Sequence, residues 1–399
     1  MGTGLYVHIP FCVKKCDYCD FYSVGTGNDL KDYPKKTVDM IGREIEGYFS
    51  PNKPEIRDVS RKTYTCSTIL TVYIGGGTPS VVPVDIIEPL LERISGLISR
   101  DEYTEWTIEC NPGTVDESKL RLYKNAGINR LSIGCQSTSD DELRTLGRIH
   151  DFDDFLRTYS MAREAGFDNI NVDLMSAIPG QTLDTYRETL QIIIGLDPEH
   201  ISAYSLIIEP GTRFYEKYKD VRPVNEDDDA DMYLMACRLL KEAGYEHYEV
   251  SNFAKPGYEC RHNINYWKRG SYIGVGPSAA GFLRDEGRFG KRYVNIRDIA
   301  RYTKLMLNDQ PVAGEKETLS RRQALIEELY LGLRMSEGID LDRWYSSYPK
   351  LYKSWINIID DLIDNRLASV KDGSLMLTDD GLWLGDGIFD RLFDDDLLS

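Results

Sequence analysis

The chain has 399 residues, 41% of them hydrophobic, and a formal net charge of −17 from 65 Asp and Glu against 48 Lys and Arg. That length predicts two or three domains, and that apolar share excludes a disordered chain. The acidic balance excludes phosphate-backbone binding as the main activity, so nucleic acid is not an expected partner.

No apolar run approaches the roughly 20 residues of a membrane helix. The N-terminus lacks a basic segment followed by an apolar one, so no secretory signal is expected. Of the eight cysteines, three lie close together and the others are scattered, which suits a reducing compartment and one metal site. The protein is expected to be cytoplasmic.

In chain order, Leu5–Ile9 reads as a buried strand and leads straight into the close cysteines. Leu70–Ile74, Thr104–Glu109, Arg130–Ile133, Asn169–Leu174 and His200–Leu206 read as further strands with helical stretches between them. Leu183, Tyr186, Leu190, Ile193 and Ile194 recur at helical spacing. Ala126-Gly127, Ala165-Gly166, Ala243-Gly244 and Gly195 mark helix ends, where glycine accommodates a left-handed turn. Strand–helix–strand units at this spacing predict a parallel sheet covered by helices. The strand count by about residue 206 predicts an α/β fold with a partial (β/α)6 barrel rather than an eightfold one. Its chemistry is expected at the C-terminal ends of the strands.

Beyond residue 215 the pattern changes. Glu226–Asp229 starts a helix carrying Met232, Met235 and Leu239, an aromatic-rich segment runs from Tyr245 to Tyr272, and a glycine-rich run spans Gly274–Gly281. From about residue 318 the chain reads as a smaller, mostly helical, winged-helix-like domain with a hairpin over Leu367–Leu377 that turns at Asp372-Gly373. The expected division is a barrel over 1–215, a barrel-flanking segment over 216–317 and a C-terminal domain over 318–399.

Cys12, Cys16 and Cys19 stand in C-x3-C-x2-C spacing directly after the first strand. Three thiolates so placed can ligate three irons of a [4Fe–4S] cluster and leave the fourth iron open to a reactive ligand. Zinc would want a fourth ligand, and no second cysteine pair exists; a disulfide would leave one thiol over.

The run Val7-His8-Ile9-Pro10-Phe11-Cys12, followed by Cys16-Asp17-Tyr18-Cys19-Asp20-Phe21, resembles the radical S-adenosylmethionine (SAM) superfamily, and within it the oxygen-independent coproporphyrinogen oxidase-like family. The resemblance runs from residue 5 into the C-terminal domain. It implies a [4Fe–4S] cluster on Cys12, Cys16 and Cys19 whose open iron is chelated by the SAM amino and carboxylate groups. One electron from such a cluster cleaves SAM to methionine and a 5′-deoxyadenosyl radical.

Polar residues gather where the strands end. Gly75-Gly76-Gly77-Thr78-Pro79 follows the second strand, Glu109 ends the third, Gln136 follows the fourth and Asp173 ends the fifth, with Arg148 a short helix beyond Gln136. By resemblance, Tyr6 and Tyr18 lie beside SAM and the cluster, and Gly76, Gly77 and Thr78 lie near the methionine moiety. Glu109, Gln136, Arg148 and Asp173 supply polar SAM contacts, and Ile207 a backbone contact to adenine. Arg148 suits the SAM carboxylate through a forked charge-assisted pair. At Ser176-Ala177-Ile178-Pro179-Gly180 the chain departs from the family's usual Tyr-Gly-Leu-Pro without removing a ligand.

A second group, His262-Asn263-Ile264-Asn265-Tyr266-Trp267, is dense in side chains that bind flat aromatic ligands; composition alone favours a satisfied histidine in an aromatic core. The H-N-x-x-Y-W pattern, with Glu249-Val250-Ser251-Asn252-Phe253-Ala254 upstream, resembles the heme-chaperone (HemW-like) branch. That resemblance implies heme as a third cofactor, with His262, Tyr266 and Trp267 at its site, and transfer of the heme to an acceptor hemoprotein. The true oxidases carry C-x3-C-x2-C-x-C, whereas position 21 here is Phe, and they have an extension ahead of the first strand, which here begins at residue 5. Oxygen-independent coproporphyrinogen III oxidation and radical methyl transfer that opens the heme ring are the alternative activities. An electron donor such as a flavodoxin or ferredoxin is the expected redox partner. Any membrane association is expected to be peripheral, and a homodimer stays open.

Overall fold

The computed structural model describes residues 2–26, 33–50, 63–98 and 103–392. The outer ends of the expected first and last regions, residue 1 and residues 393–399, lie outside the described residues. Strand β1 (Thr3–Ile9) opens the fold, and the loop after it is pinned by a short bridge between β2 (Phe11–Cys12) and β3 (Val24–Gly25). Helix α1 (Tyr33–Phe49) returns the chain to β4 (Ile69–Gly76). The alternation continues through α2 (Val84–Leu97), β5 (Glu105–Cys110), α3 (Glu117–Ala126) and β6 (Arg130–Gln136). Then come α4 (Asp140–Thr145), α5 (Phe152–Glu164), β7 (Ile170–Ser176), α6 (Leu183–Gly195) and β8 (His200–Ser205). β1, β4, β5, β6, β7 and β8 pair in that order, all parallel, as the strand–helix spacing predicts.

The pleat sorts the side chains. Val7, Val72, Ile74, Ile108, Ile133, Val172 and Ile201 face the helices and are fully buried. Each such side chain contributes about 1.5–3 kcal/mol by leaving water. The alternate positions are polar. Tyr6 pairs with Tyr73, Glu109 with Ser132, Ser132 with Asn171, Asn171 with His200 and Asp173 with Ser202. The concave face of the sheet is therefore a polar lumen. A one-residue slip in any strand would exchange the two sets, so the pattern fixes the register.

The helices start on side-chain caps: Asp116, Ser139, Asp151 and Thr182 each accept an N–H from the first turn. Gly127, Gly166 and Gly244 take positive φ after their helices, as expected. Gly195 does not; it is the last residue of α6, and the left-handed residue there is Asp197, with φ 56°. Asp tolerates this conformation better than most L-residues.

The sheet continues past the six expected strands. Helices α7 (Arg213–Tyr218) and α8 (Glu226–Glu242) lead to β9 (Glu246–Glu249) and β10 (Asn252–Ala254), and β10 pairs antiparallel with β8. Helix α9 (Arg261–Trp267) then crosses to the opposite edge, where β11 (Tyr272–Val275) runs parallel to β1. β12 (Ala280–Leu283), β13 (Lys291–Asn295) and, after α10 (Ile299–Leu307), β14 (Ala313–Thr318) extend it antiparallel to a mixed twelve-stranded sheet.

The C-terminal region comprises α11 (Arg321–Leu333), β15 (Ile339–Asp340), α12 (Leu341–Ser347), α13 (Pro349–Asp364), β16 (Ala368–Lys371), β17 (Ser374–Leu377), α14 (Asp379–Trp383) and α15 (Gly385–Leu392). The predicted hairpin is present. Asp372 and Gly373 both take positive φ, as a two-residue turn between twisted strands requires. Strand β15 adds to β17, so helices and a three-stranded sheet form the winged-helix-like unit. No described helix is long and apolar enough to cross a membrane.

Candidate functional site

Cys12, Cys16 and Cys19 sit on the loop that leaves β1 at the C-terminal end of the sheet. The loop closes on the barrel through backbone bonds: Val24 N–H donates to Pro10 C=O (2.9 Å), Thr26 N–H to Cys12 C=O (2.9 Å), Gly77 N–H to Ile9 C=O (2.9 Å) and Thr78 N–H to Phe11 C=O (2.7 Å). This explains Gly77: a Cβ there would lie 2.7 Å from the Phe11 carbonyl oxygen. The Gly-Gly-Thr element thus seats the cysteine loop as well as facing the cavity.

That cavity, about 550 Å3, is lined by Cys12, Cys16, Tyr18, Cys19, Gly76, Gly77, Thr78, Glu109, Gln136, Arg148, Asp173 and Ile207. The structure therefore brings together residues drawn from seven places along the sequence. Thr78 Oγ1 donates to Cys12 Sγ (3.5 Å) and accepts from Asn111 Nδ2 (3.0 Å). Arg148 reaches Cys16 Sγ with Nη1 (3.7 Å) and donates from Nη2 to Asn111 Oδ1 (3.0 Å) and Gly134 C=O (2.9 Å). Its Nε is buried without a partner among the described residues. Gln136 ends β6 at φ 68°, beside a register shift, and its Oε1 accepts from Tyr204 OH (2.9 Å). A non-glycine residue held in that conformation stores strain, which is typical of ligand sites.

Glu109 and Asp173 face each other in the lumen. Burial, and next the Asp173 charge, push the Glu109 carboxyl up to about 7; burial also raises Asp173. Gly76 N–H donates to Glu109 (3.1 Å), while Asn171 (2.7 Å) and Ser132 (3.3 Å) donate to Asp173. Burial pushes the Cys19 thiol up to about 11 and raises that of Cys12, so both are protonated until a metal displaces the proton.

Four predicted residues, Tyr6, His262, Tyr266 and Trp267, lie outside this cavity. Tyr6, expected beside SAM, lines a second cavity of about 550 Å3 with His262 and Tyr266, and its hydroxyl bonds His8 Nδ1 (3.0 Å). Trp267 lines neither cavity; it faces a crevice against the C-terminal region, under the Arg334 guanidinium. His262 is buried, with Nδ1 hydrogen-bonded to Thr71 Oγ1 (2.7 Å), Nε2 to Tyr266 OH (2.7 Å), and its ring stacked 5.2 Å from Tyr73. Burial, and next the Arg130 charge, push its pKa down to about 3, so the ring is neutral.

Asn111, Tyr73, Ser132 and Tyr204 complete the first cavity and were not anticipated. Their signal is the inner-face alternation of the strands, visible only once the register is known. For Asn111 it is the turn after β5.

The donor set fits a [4Fe–4S] cluster with SAM. Cys12, Cys16 and Cys19 do not have all their sulfurs within 4.8 Å of one another. A single tetrahedral zinc needs sulfurs about 3.8 Å apart, so three sulfurs spread around one cavity suit a multi-iron cluster better. The unpartnered Arg148 Nε and the two opposed carboxyls match the carboxylate and the ammonium or hydroxyls of SAM.

Residues 6–193 match the Radical SAM superfamily and residues 319–384 the HemN C-terminal domain. The heme chaperone HemW of Lactococcus lactis is 33% identical across 99% of this chain and 98% of its own length. That of Bacillus subtilis is 32% identical across 96% of this chain and 97% of its own. The radical S-adenosyl methionine domain-containing protein 1, mitochondrial, of Danio rerio is 33% identical over 97% of this chain and 86% of its own. The Escherichia coli coproporphyrinogen III oxidase HemN shares the fold, with a TM-score of 0.79 at 21% identity over 98% of this chain and 90% of that one. The superfamily's resident groups, a [4Fe–4S] cluster and SAM, are those the first cavity fits. The chain belongs to the HemW family of the radical SAM superfamily.

Proposed function

We propose that this protein binds heme and delivers it to an acceptor hemoprotein, and that its cluster and SAM site adjoin the heme. Cys12, Cys16 and Cys19 hold the cluster. Arg148 takes the SAM carboxylate, Glu109 and Asp173 its ammonium or ribose hydroxyls, and Thr78, Gln136 and Ile207 complete the pocket. When bound and reduced, the cluster supplies one electron to the SAM sulfonium; a flavodoxin- or ferredoxin-like donor would reduce it. The names of the relatives carry the chaperone reading to this chain.

The observation that carries it within the fold is the second cavity. Its walls are aromatic, from Tyr6, Tyr22, Tyr73, Tyr266 and Tyr272, with Arg297 at hand for a propionate. Its volume lies in the ~300–1,000 Å3 range of small-molecule sites. His262 is the iron ligand on this reading, and Tyr266 is its gate: Nε2 reaches iron only when the Tyr266 hydroxyl, 2.7 Å away, swings off.

Hemin titration of cluster-loaded protein tests this. His262→Ala should weaken one-site binding. Tyr266→Phe should strengthen it by roughly fivefold, because one competing hydrogen bond of ~1 kcal/mol is removed. No saturable binding by wild type, together with anaerobic decarboxylation of coproporphyrinogen III, would replace the chaperone reading with the oxidase one.

A further inference from the structure

Away from both cavities, three donors of different chemistry converge where α8, β9 and α14 meet. Cys237 Sγ lies 3.9 Å from His247 Nδ1, and the same Nδ1 lies 3.1 Å from Asp379 Oδ1. All three ligand atoms fall within 4.8 Å of one another, and among the described residues no other His, Cys, Asp and Glu group does so. We propose that Cys237, His247 and Asp379 bind a zinc ion that ties the C-terminal region to the barrel.

The spacing suits a tetrahedral ion. Metal–sulfur and metal–nitrogen or –oxygen bonds of ~2.3 and ~2.0–2.1 Å place S and N about 3.6 Å apart, and N and O about 3.3 Å apart. One sulfur, one imidazole and one carboxylate make a borderline-soft set that favours zinc over magnesium or calcium. A thiolate and a carboxylate neutralise its charge.

The outer shell is built as metal sites require. His247 aims Nδ1 at the other two donors and its opposite nitrogen, Nε2, at the Val250 carbonyl (3.4 Å), which also accepts from Tyr233 OH (2.9 Å). The imidazole is clamped flat on Phe253, centroids 4.2 Å apart at 12°. Lys241 Nζ bonds both Asp379 oxygens, at 2.8 and 2.6 Å. The ion would replace the His247 N–H bond to Oδ1 and leave Lys241 on Oδ2. Cys237 and His247 are buried, whereas the Asp379 side chain is 30% exposed, so water would take the fourth position on that side. Two ligands come from the segment that edges the barrel sheet and the third from the region matching the HemN C-terminal domain.

The test uses the full chain with its cluster loaded, so that Cys12, Cys16 and Cys19 are engaged. After exhaustive chelation and desalting, Co2+ is titrated in and then displaced with Zn2+. One Co2+ per chain with a thiolate-to-cobalt charge-transfer band is expected. Cys237→Ser should abolish the band, and Asp379→Asn should weaken binding by about tenfold or more. Asp379 is partly exposed at a helix start, so its variant reports even if Cys237→Ser fails to fold. No uptake beyond the cluster by the wild type, or equal uptake by wild type and Asp379→Asn, would overturn the proposal.

Discussion

At the scale of single residues, Glu109 joins chemistry to stability. Its carboxyl is held protonated by burial up to about 7, against 4.5 for an ordinary glutamate. A carboxyl raised in the fold favours the folded state while protonated, so this stabilisation is whole below about pH 4.5 and lost as pH rises through about 7. Glu109→Gln should therefore melt higher than wild type at pH 8, by the equivalent of about 3 kcal/mol, with the advantage shrinking toward pH 5. It should also bind SAM more weakly, and thermal melts across pH with SAM titrations would read both. Cys12, Cys16 and Cys19 were legible from sequence because their relation is local and spaced by two and three residues. Asn111 was not, because bridging Arg148 to Thr78 is a relation among distant parts of the chain that only folding creates. The Tyr266 hydroxyl on His262 was hidden for the opposite reason: both residues stood in the motif, yet spacing does not say which atoms meet.

Among the elements, the six parallel strands could be read because helices separate them, with left-handed stops ahead of β6, β7 and β8. Boundaries moved by up to three residues; Gln136 proved to end β6 rather than follow it. The edge strands β9 to β14 were not read. They run three to six residues, and their cues are glycine and tyrosine rather than alternation. β11 shows why: Gly274 stands where a Cβ would fall 1.9 Å from the Ala280 carbonyl oxygen, and its own N–H and C=O both bond the Tyr293 hydroxyl. The glycine-rich run thus begins in close-packed sheet. Gly274→Ala should destabilise by roughly 1–3 kcal/mol through that overpacking. Urea denaturation would measure it, and an unchanged midpoint would mean that the strand pair yields at no cost.

For the whole molecule, the C-terminal region is more than a lid set on one side. Tyr204, Ser205 and Ile207 border the cluster cavity and, on their other side, a crevice of about 210 Å3 closed by Leu377, Leu382, Trp383 and Asp386. SAM added to cluster-loaded protein should slow amide exchange across 204–207 and across 377–386. Protection confined to the first stretch would show that the two regions move independently. The polar lumen has a consequence of another kind. Residues that hold the barrel together, such as Val7, Ile74 and Ile133, point at the helices, while those available for chemistry point away from them. Foldability and reactivity are thus inherited through separate sets of positions. A lineage carrying this chain can rewrite its lumen residue by residue, exchanging one task for another, without touching the side chains on which its survival as a folded object depends.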